Sequence, residues 1–385
     1  MLPKAVMNAF QNSARPPVKP CPDGPFRIAT PDEAGFDVAK LAAAMQFASE
    51  CETPWPRNLS EGLNADPSAN EPPPWNTVLG PTQDRDPPNG LVIRNGALVA
   101  EYGNTQAVDM SFSIAKSYLA VLTGVAVKLG HIRDIDEPMR NYALDDGFEP
   151  EQNREITWRH MLHQTSEWEG TLWSKPDLID RNRQVGLGAD NSNKGTHRDL
   201  QAPGTFYEYN DVRVNRLSLS LMQVFREELG NVLKREVMDP IGASSTWQWH
   251  PYENAKFTID GRTLGSVPGG SHWGGGLFMH AQDHARFGWM MANDGRWHDQ
   301  DILPPGWART LTEPSPCNPG YGGLWWLNRQ GEKYANAPAT SYFAMGAGTN
   351  LIWVDPELDL VMVMRWIDNA RANELISQVL AAMTS

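Results

Sequence analysis

Residues 113–129 read SIAKSYLAVLTGVAVKL, apolar around nearly the whole helical circumference and closed by Gly130. That pattern predicts a helix buried in the middle of the protein, because a surface helix keeps a polar face. Asp37 to Ser49 (DVAKLAAAMQFAS) instead sets alanines and leucine at helical spacing where a buried face would lie, which predicts the first helix. Two short β-rich runs, Leu91 to Arg94 and Ala97 to Tyr102, flank Asn95-Gly96. Asn-Gly supplies the positive φ angles of a tight turn, so the two runs are expected to pair as a hairpin. GGLWWLNR, TNLIWVDPEL and DLVMVMRW are three later strand candidates, with a turn around Asp355-Pro356, and NARANELISQVLAAM closes as an amphipathic helix.

The stretches between these elements read differently. From Pro54 to Pro88, nine prolines mixed with Asn, Asp, Ser and Gly predict a long surface loop of the kind that borders a site. Residues from about 131 to 265 predict helical segments and polar loops. GGSHWGGG at 269–276 then packs five glycines into eight residues, which lets backbone approach something closely, and Ala281 to Asn293 predicts a further helix. This order makes an α/β (α+β) fold: an antiparallel sheet of five or more strands flanked by the N- and C-terminal helices, with an all-helical lobe inserted. The expected division is a sheet domain from 1–104 and 275–385, including the 54–88 loop, and a mainly helical domain from 105–274 that carries the Ser113 helix. A cleft is expected between the lobes.

Composition and charge narrow the function. A chain of 385 residues with 41% hydrophobic and 21% charged residues is long enough to rest on a packed core. Its formal charge of −13, with lysines and arginines scattered, repels phosphate backbones and anionic lipid headgroups, so neither nucleic acid nor membrane is expected as a partner. Three cysteines, Cys21, Cys51 and Cys317, show no C-x-x-C spacing and read as thiols. The opening residues lack a secretory apolar core and no stretch reaches the length of a spanning helix, so the cytoplasm is the expected location. Oligomeric state leaves no sign in the sequence.

Ser113-Ile114-Ala115-Lys116 opens the most apolar helix, and its three-residue offset puts both side chains on one helical face. A serine hydroxyl is a poor nucleophile until a base removes its proton, and an amine of lowered pKa can do so. The first-turn position also points free N–H groups toward an incoming carbonyl. S-x-x-K alone is weak, since about one chance match is expected in a chain of this length, and a capping serine followed by a surface lysine is the plain alternative. Ile114, Ala115, Tyr118, Leu119, Val121 and Leu122 leave Lys116 little room to be mere surface. The run PGTFYEYND at 203–211 is either a packed aromatic turn or the seat of a tyrosine that carries a proton. AMGAG at 344–348, before a strand, is either a plain turn or an edge against which substrate lies.

Other chemistries fare worse. His280 and His284 are four apart on a helix, but Ala-Gln-Asp between them does not make H-E-x-x-H. His160, His163 and Glu167 are a weaker set still. These histidines set no metal site, and with no G-x-S-x-G elbow, P-loop or G-x-G-x-x-G after a strand a nucleotide cofactor has no visible seat, so neither a metal nor a cofactor is expected.

Taken in order, Ser113-x-x-Lys116, Pro203-Gly204 with Tyr209 following, and Gly346 before a late strand resemble the serine β-lactamase and penicillin-recognising superfamily. ITWRHMLHQTSEWEGTLW, GHIRDIDEPMRNY, DHARFGWMMANDGRW and VDPELDLVMVM are similar to further stretches of it, and the likeness spans about residues 30 to 382. SEWEGTLW and GGSHWGGG resemble the branch of 6-aminohexanoate-dimer hydrolases and class C-like esterases. The resemblance implies a β-lactamase/transpeptidase-like fold, Ser113 as nucleophile, Lys116 as its proton partner and Tyr209 as general base and then acid. The backbone N–H groups of Ser113 and Ala347 would form the oxyanion hole.

Two positions depart from the superfamily pattern. Asp211 stands where Tyr-x-Asn is usual, and a carboxylate there favours a charged Lys116, so Asp211→Asn is expected to shift the acidic limb of the pH–rate profile. Ala344 replaces the Lys or His that often meets a substrate carboxylate. The expected protein is a serine hydrolase acting on small-molecule carboxylic esters or linear amides. Asp211, Trp168, Trp173, His272, Trp273 and Gly346 are candidate substrate contacts. The rivals are a β-lactamase or D-amino-peptide hydrolase of the same fold, a non-catalytic binding protein and a metal-dependent hydrolase.

Overall fold

Seven strands of the computed structural model join in one sheet: β1 (Arg27–Ile28), β2 (Asn89–Arg94), β3 (Ala97–Tyr102), β4 (Trp326–Leu327), β5 (Tyr342–Gly346), β6 (Asn350–Asp355) and β7 (Leu360–Arg365). The order across the sheet is β1-β3-β2-β7-β6-β5-β4, with β1 parallel to β3 and every other pair antiparallel. The structure describes residues 16–65, 71–186 and 188–384. The β2–β3 turn is the expected one, with Asn95 at φ 51° and Gly96 at φ 75°.

Strands β6 and β7 are buried along their whole length because helices cover both faces of the sheet. On one face lies α4 (Ala281–Ala292), where Gly288 allows contact with Val361, Ile352 and Val354. On the other lies α1 (Val38–Glu50), beside Ala100 and Tyr102. Ala100 pairs with Val92, and Val92 with Met362, the neighbour of Val361, so pleating puts α1 and α4 on opposite sides. The C-terminal helix α5 (Asn369–Ala382) packs on α1. Asp37 and Asp368 cap the two helices by accepting backbone N–H groups, at 3.0 Å from Lys40 and 3.1 Å from Ala370.

Helix α2 (Ile114–Lys128) is buried at every residue but the last, as its sequence predicts, and Ser113 is its N-cap. It packs against α3 (Asp211–Phe225) on one side and β5 and β6 on another. Phe112 just before it takes φ 50°, a left-handed backbone that a bulky residue adopts only when its surroundings demand it. Its ring is wedged edge-on between Trp55 and Trp366, at 5.6 and 6.2 Å, and that burial holds the turn that presents Ser113.

Several expectations need correction. GGLWWLNR supplies only the two residues of β4, and β5 was not anticipated; it adds the strand whose end meets the Ser113 turn. The inserted region is less helical than expected. Among the described residues between Gly130 and Asn210 the one α-helix is Trp158–Leu162, with a β-ribbon of Thr171–Leu172 and Lys175–Pro176, and a second ribbon forms further on, of Lys256–Ile259 and Arg262–Gly265. Pro and Gly there cut periodic runs short. The proline-rich loop contains a short helix, Leu59–Ala65, and residues 66–70 lie outside the described ones. Its second half is bonded to the glycine-rich segment: Leu79 and Gly80 N–H donate to Trp273 O, and Gly275 N–H to Pro81 O. Among the described residues no helix is long and apolar enough to cross a membrane.

Gly124, in the middle of α2, lies against the Trp307 indole, whose N–H donates to Ala120 O at 3.1 Å. A Cβ on Gly124 would stand 2.4 Å from that nitrogen. Gly124→Ala should therefore lower the urea midpoint, with overpacking of about 1–3 kcal/mol outweighing a helix-propensity gain of about 1 kcal/mol. An unchanged or higher midpoint would contradict this packing.

Candidate active site

Ser113 and Lys116 meet as their spacing requires: Lys116 Nζ donates to Ser113 Oγ at 2.8 Å. Lys116 is 2% exposed, and its other partner is Asp211, the first residue of α3, which accepts from Nζ through Oδ1. Burial works against the ammonium, but the adjacent carboxylate outweighs it and holds Lys116 above the ordinary lysine range. Asp211 resists its own desolvation through the charges of Lys116 and Arg183 and the hydrogen bond from His272, and sits well below the usual carboxylate range. Lys116 is thus a charged donor to the serine oxygen at neutral pH and has no lone pair with which to take its proton.

A wider cluster fixes Asp211. Its Oδ2 accepts from Arg183 Nη1 at 2.6 Å and from His272 Nδ1 at 2.9 Å. His272 Nε2 reaches Glu71 Oε1 at 2.7 Å, so the imidazole bridges two carboxylates. Burial disfavours its charge, but Glu71, Asp180 and Asp211 prevail and raise its pKa. Glu71 also accepts from Trp273 Nε1 at 2.9 Å and Lys194 Nζ at 2.5 Å, while Asp180 accepts the Asp211 backbone N–H at 2.8 Å. Burial would raise the Glu71 pKa, but the facing His272 and Lys194 charges bring it down to about 2. The ligand atoms of Glu71, Asp180 and His272 lie within 4.8 Å of one another, close enough for a metal. Lys194 reaches both Glu71 and Asp180, the latter at 3.4 Å, and supplies the positive charge a metal would bring. These residues fit an ion-pair cluster better than a metal centre.

The remaining parts converge on Ser113. Tyr209 is buried, with Lys116 Nζ 4.8 Å and the Arg183 guanidinium 5.5 Å from its ring centre. Gly346 lies against the Ser111–Ser113 backbone: a Cβ there would fall 2.4 Å from Ser111 O and 3.3 Å from Ser113 N, so the β5 end carrying Ala347 is beside the serine. Gly270 closes over the pair, its absent Cβ leaving only 3.1 Å to Lys116 Nζ and 3.2 Å to Ser113 Oγ. From Tyr209 a cleft of about 710 Å³ opens past Trp326 and Arg183.

Some expected contacts are not brought to this point. Asp211 is committed to Lys116, Arg183 and His272, so it is a counter-ion rather than a substrate contact. Trp168 is buried in the inserted region, its N–H donating to Gly147 O at 2.8 Å and its ring against Gly170. Trp273 is buried with its N–H on Glu71, and Trp173 packs edge-on against Tyr252 at 5.7 Å. The tryptophan in the cleft is Trp326, stacked on Tyr209 at 5.5 Å. His284 bonds Ser111 Oγ and Tyr118 Oη through its two ring nitrogens, and His280 caps α4. Sequence reasoning missed Glu71, Arg183 and Lys194, which come from irregular loops, and Asp180, which ends the short 3-10 helix Asp177–Asp180; no periodicity or motif marks them.

The beta-lactamase family matches residues 91–373. No curated protein sequence matches the chain. Among solved structures, a 6-aminohexanoate-dimer hydrolase candidate from Bacillus anthracis is similar at TM-score 0.55 and 15% identity, over 98% of this chain and 90% of that one. A family VIII carboxylesterase matches at TM-score 0.55 and 14% identity, over 77% and 92%. A penicillin-binding protein homologue from Caulobacter crescentus gives the same TM-score and identity, over 77% and 92%. At these identities the likeness is one of fold.

Two predictions follow from the charge cluster. Asp211→Asn removes the charge that sustains the Lys116 ammonium, so the limb of a pH–rate profile that moves should be the alkaline one, to lower pH, rather than the acidic limb expected from sequence. An alkaline limb that stays in place would contradict this. Because the Glu71 pKa is depressed, its stabilisation is present above its unfolded value near 4.5 and is lost as pH falls toward about 2. Glu71→Gln should therefore flatten the fall in melting temperature between those pH values, whereas an equally steep fall would contradict the pairing.

Proposed function

The chain belongs to the beta-lactamase family, and from that premise we propose that it is a serine hydrolase, forming an acyl-enzyme on Ser113 and releasing it to water. Its substrates are carboxylic esters or small linear amides. The observation that carries this reading is the 2.8 Å contact of Ser113 Oγ with a lysine ammonium pinned by Asp211, at the first turn of a buried helix.

In this mechanism Tyr209 enters as its phenolate, and Ser113 Oγ attacks the substrate carbonyl carbon while the Tyr209 oxygen takes the hydroxyl proton. Lys116 cannot take it while charged; it orients Oγ and, with Arg183, places positive charge beside the phenol. The oxyanion turns toward the N–H groups of Ser113 and Ala347. Tyr209 then gives the proton to the departing alcohol or amine as the C–O or C–N bond breaks. Water attacks the acyl carbon by the same route in reverse: Tyr209 accepts its proton and returns it to Ser113 Oγ. No cofactor enters these steps.

Ester and linear-amide chemistry is preferred to β-lactam chemistry because Ala344, buried in β5, offers a methyl where a cation would meet the β-lactam carboxylate. Cys21, Cys51 and Cys317 are free thiols, which supports the cytoplasm as the location.

Hydrolysis of p-nitrophenyl butyrate at neutral pH, with chelator present, tests the reading. Ser113→Ala should fall to background and Tyr209→Phe should lose roughly 10²- to 10⁴-fold in kcat. A Ser113→Ala protein as active as wild type would refute the nucleophile. Nitrocefin turnover faster than ester turnover would favour the β-lactamase rival.

A further inference from the structure

Gln164 stands where glycine is the usual residue. It lies two residues past the end of the helix Trp158–Leu162, with His163 as the C-cap between them, and takes φ 52°. Its N–H donates to Met161 O at 3.1 Å and the Thr165 N–H to His160 O at 2.8 Å, the two bonds that close a helix through a left-handed residue. Glycine adopts that backbone freely. A glutamine is held there only when its surroundings fix it, and strain of this kind gathers where function needs a side chain. The Gln164 side chain is buried, and both its polar atoms are hydrogen-bonded.

Those bonds serve the segment that carries Tyr209. The Glu208 N–H donates to Gln164 O at 3.0 Å and the Asn210 N–H to Gln164 Oε1 at 2.9 Å, so one residue holds the backbone on both sides of Tyr209. A backbone N–H can only donate, which fixes the amide's orientation, and Gln164 Nε2 then donates to Tyr321 Oη at 2.8 Å. Tyr321 walls in Tyr209: its ring is edge-on to Tyr209 at 6.3 Å and edge-on at 4.7 Å to Trp326, the ring stacked on Tyr209. Burial pushes Tyr321 well above the ordinary tyrosine range, so it keeps its proton and serves as a wall. Asn210 in turn caps α3, its side chain accepting the Val212 and Arg213 N–H groups at 3.1 and 3.2 Å, and the residue after it is Asp211, the counter-ion of Lys116. We propose that Gln164 is a positioning residue for the proton transfer: it fixes the backbone of Tyr209, the ring beside it and the start of the helix that carries Asp211. It acts through these groups and not on the substrate. This rests on the serine hydrolase reading.

Gln164→Gly separates this role from a structural one, because glycine relieves the left-handed backbone while it deletes both side-chain bonds. Its melting temperature should stay within about 3 °C of wild type, the relieved backbone offsetting the lost bonds. Its kcat on p-nitrophenyl butyrate should nevertheless fall about 10- to 100-fold with KM within about twofold, since a displaced proton-transfer group costs rate and not binding. Gln164→Met, which keeps the volume and loses the amide, should lose kcat to a similar degree. Wild-type kcat in either variant, a loss carried by KM, or a melting temperature of Gln164→Gly far below wild type would overturn the proposal. If wild type does not cleave the ester, the hydrolase reading is what fails. Fluorine NMR of protein labelled with 3-fluorotyrosine then decides whether Gln164 holds Tyr209: the Tyr209 resonance, assigned through Tyr209→Phe, should shift or split in Gln164→Gly and Gln164→Met, and an unchanged resonance in both overturns the inference.

Discussion

The contact between the Lys116 ammonium and the Asp211 carboxylate, both buried, is the constraint on which the rest of the site depends. Removing two such ions from water costs several kcal/mol each, and one pair seldom recovers it. Here the cost is spread over alternating charges: Lys116, Asp211, then Arg183 and His272, then Glu71 and Asp180, then Lys194. Asp211 also stands in the first turn of α3, where the helix dipole favours an anion. The outcome is a lysine that stays charged beside the serine, and the proton-accepting role passes to Tyr209 in the proposed mechanism.

This arrangement ties distant parts of the chain to one atom. Glu71 comes from the proline-rich loop, His272 from the glycine-rich segment, Arg183 and Lys194 from the irregular insertion, and Asp211 from the start of α3. Gly346 can meet the Ser113 turn only because it lacks a side chain, and Gly270 passes close over Ser113 and Lys116, where a Cβ would be a tight fit. The sheet and its helices supply the rigid frame; loops bring most of the charges.

That division explains what could be read from sequence. Helix α2, the Asn95-Gly96 hairpin, β6, β7 and the terminal helices declare themselves through periodicity, and the observed bounds differ from the expected ones by a residue or two. The Ser113–Lys116 contact was legible because helical spacing alone enforces it. The pairing of Asp211 with Lys116 was half legible: its effect on the lysine charge was anticipated, but its saturation by Arg183 and His272 was not. Partners 28 to 201 residues apart in sequence, contributed by loops, leave no local pattern. Trp168 and Trp273 were misplaced for a related reason. An indole satisfies a buried acceptor as readily as it lines a cleft, and composition does not separate the two.

The central claim is that the acyl group is carried by Ser113, and mass spectrometry of the acylated protein tests it most directly. Acid quenching within the first turnovers of p-nitrophenyl butyrate should leave one butyryl group per chain, on the peptide containing Ser113, and none on Ser113→Ala. Turnover without any adduct, or an adduct on another residue, would contradict the account.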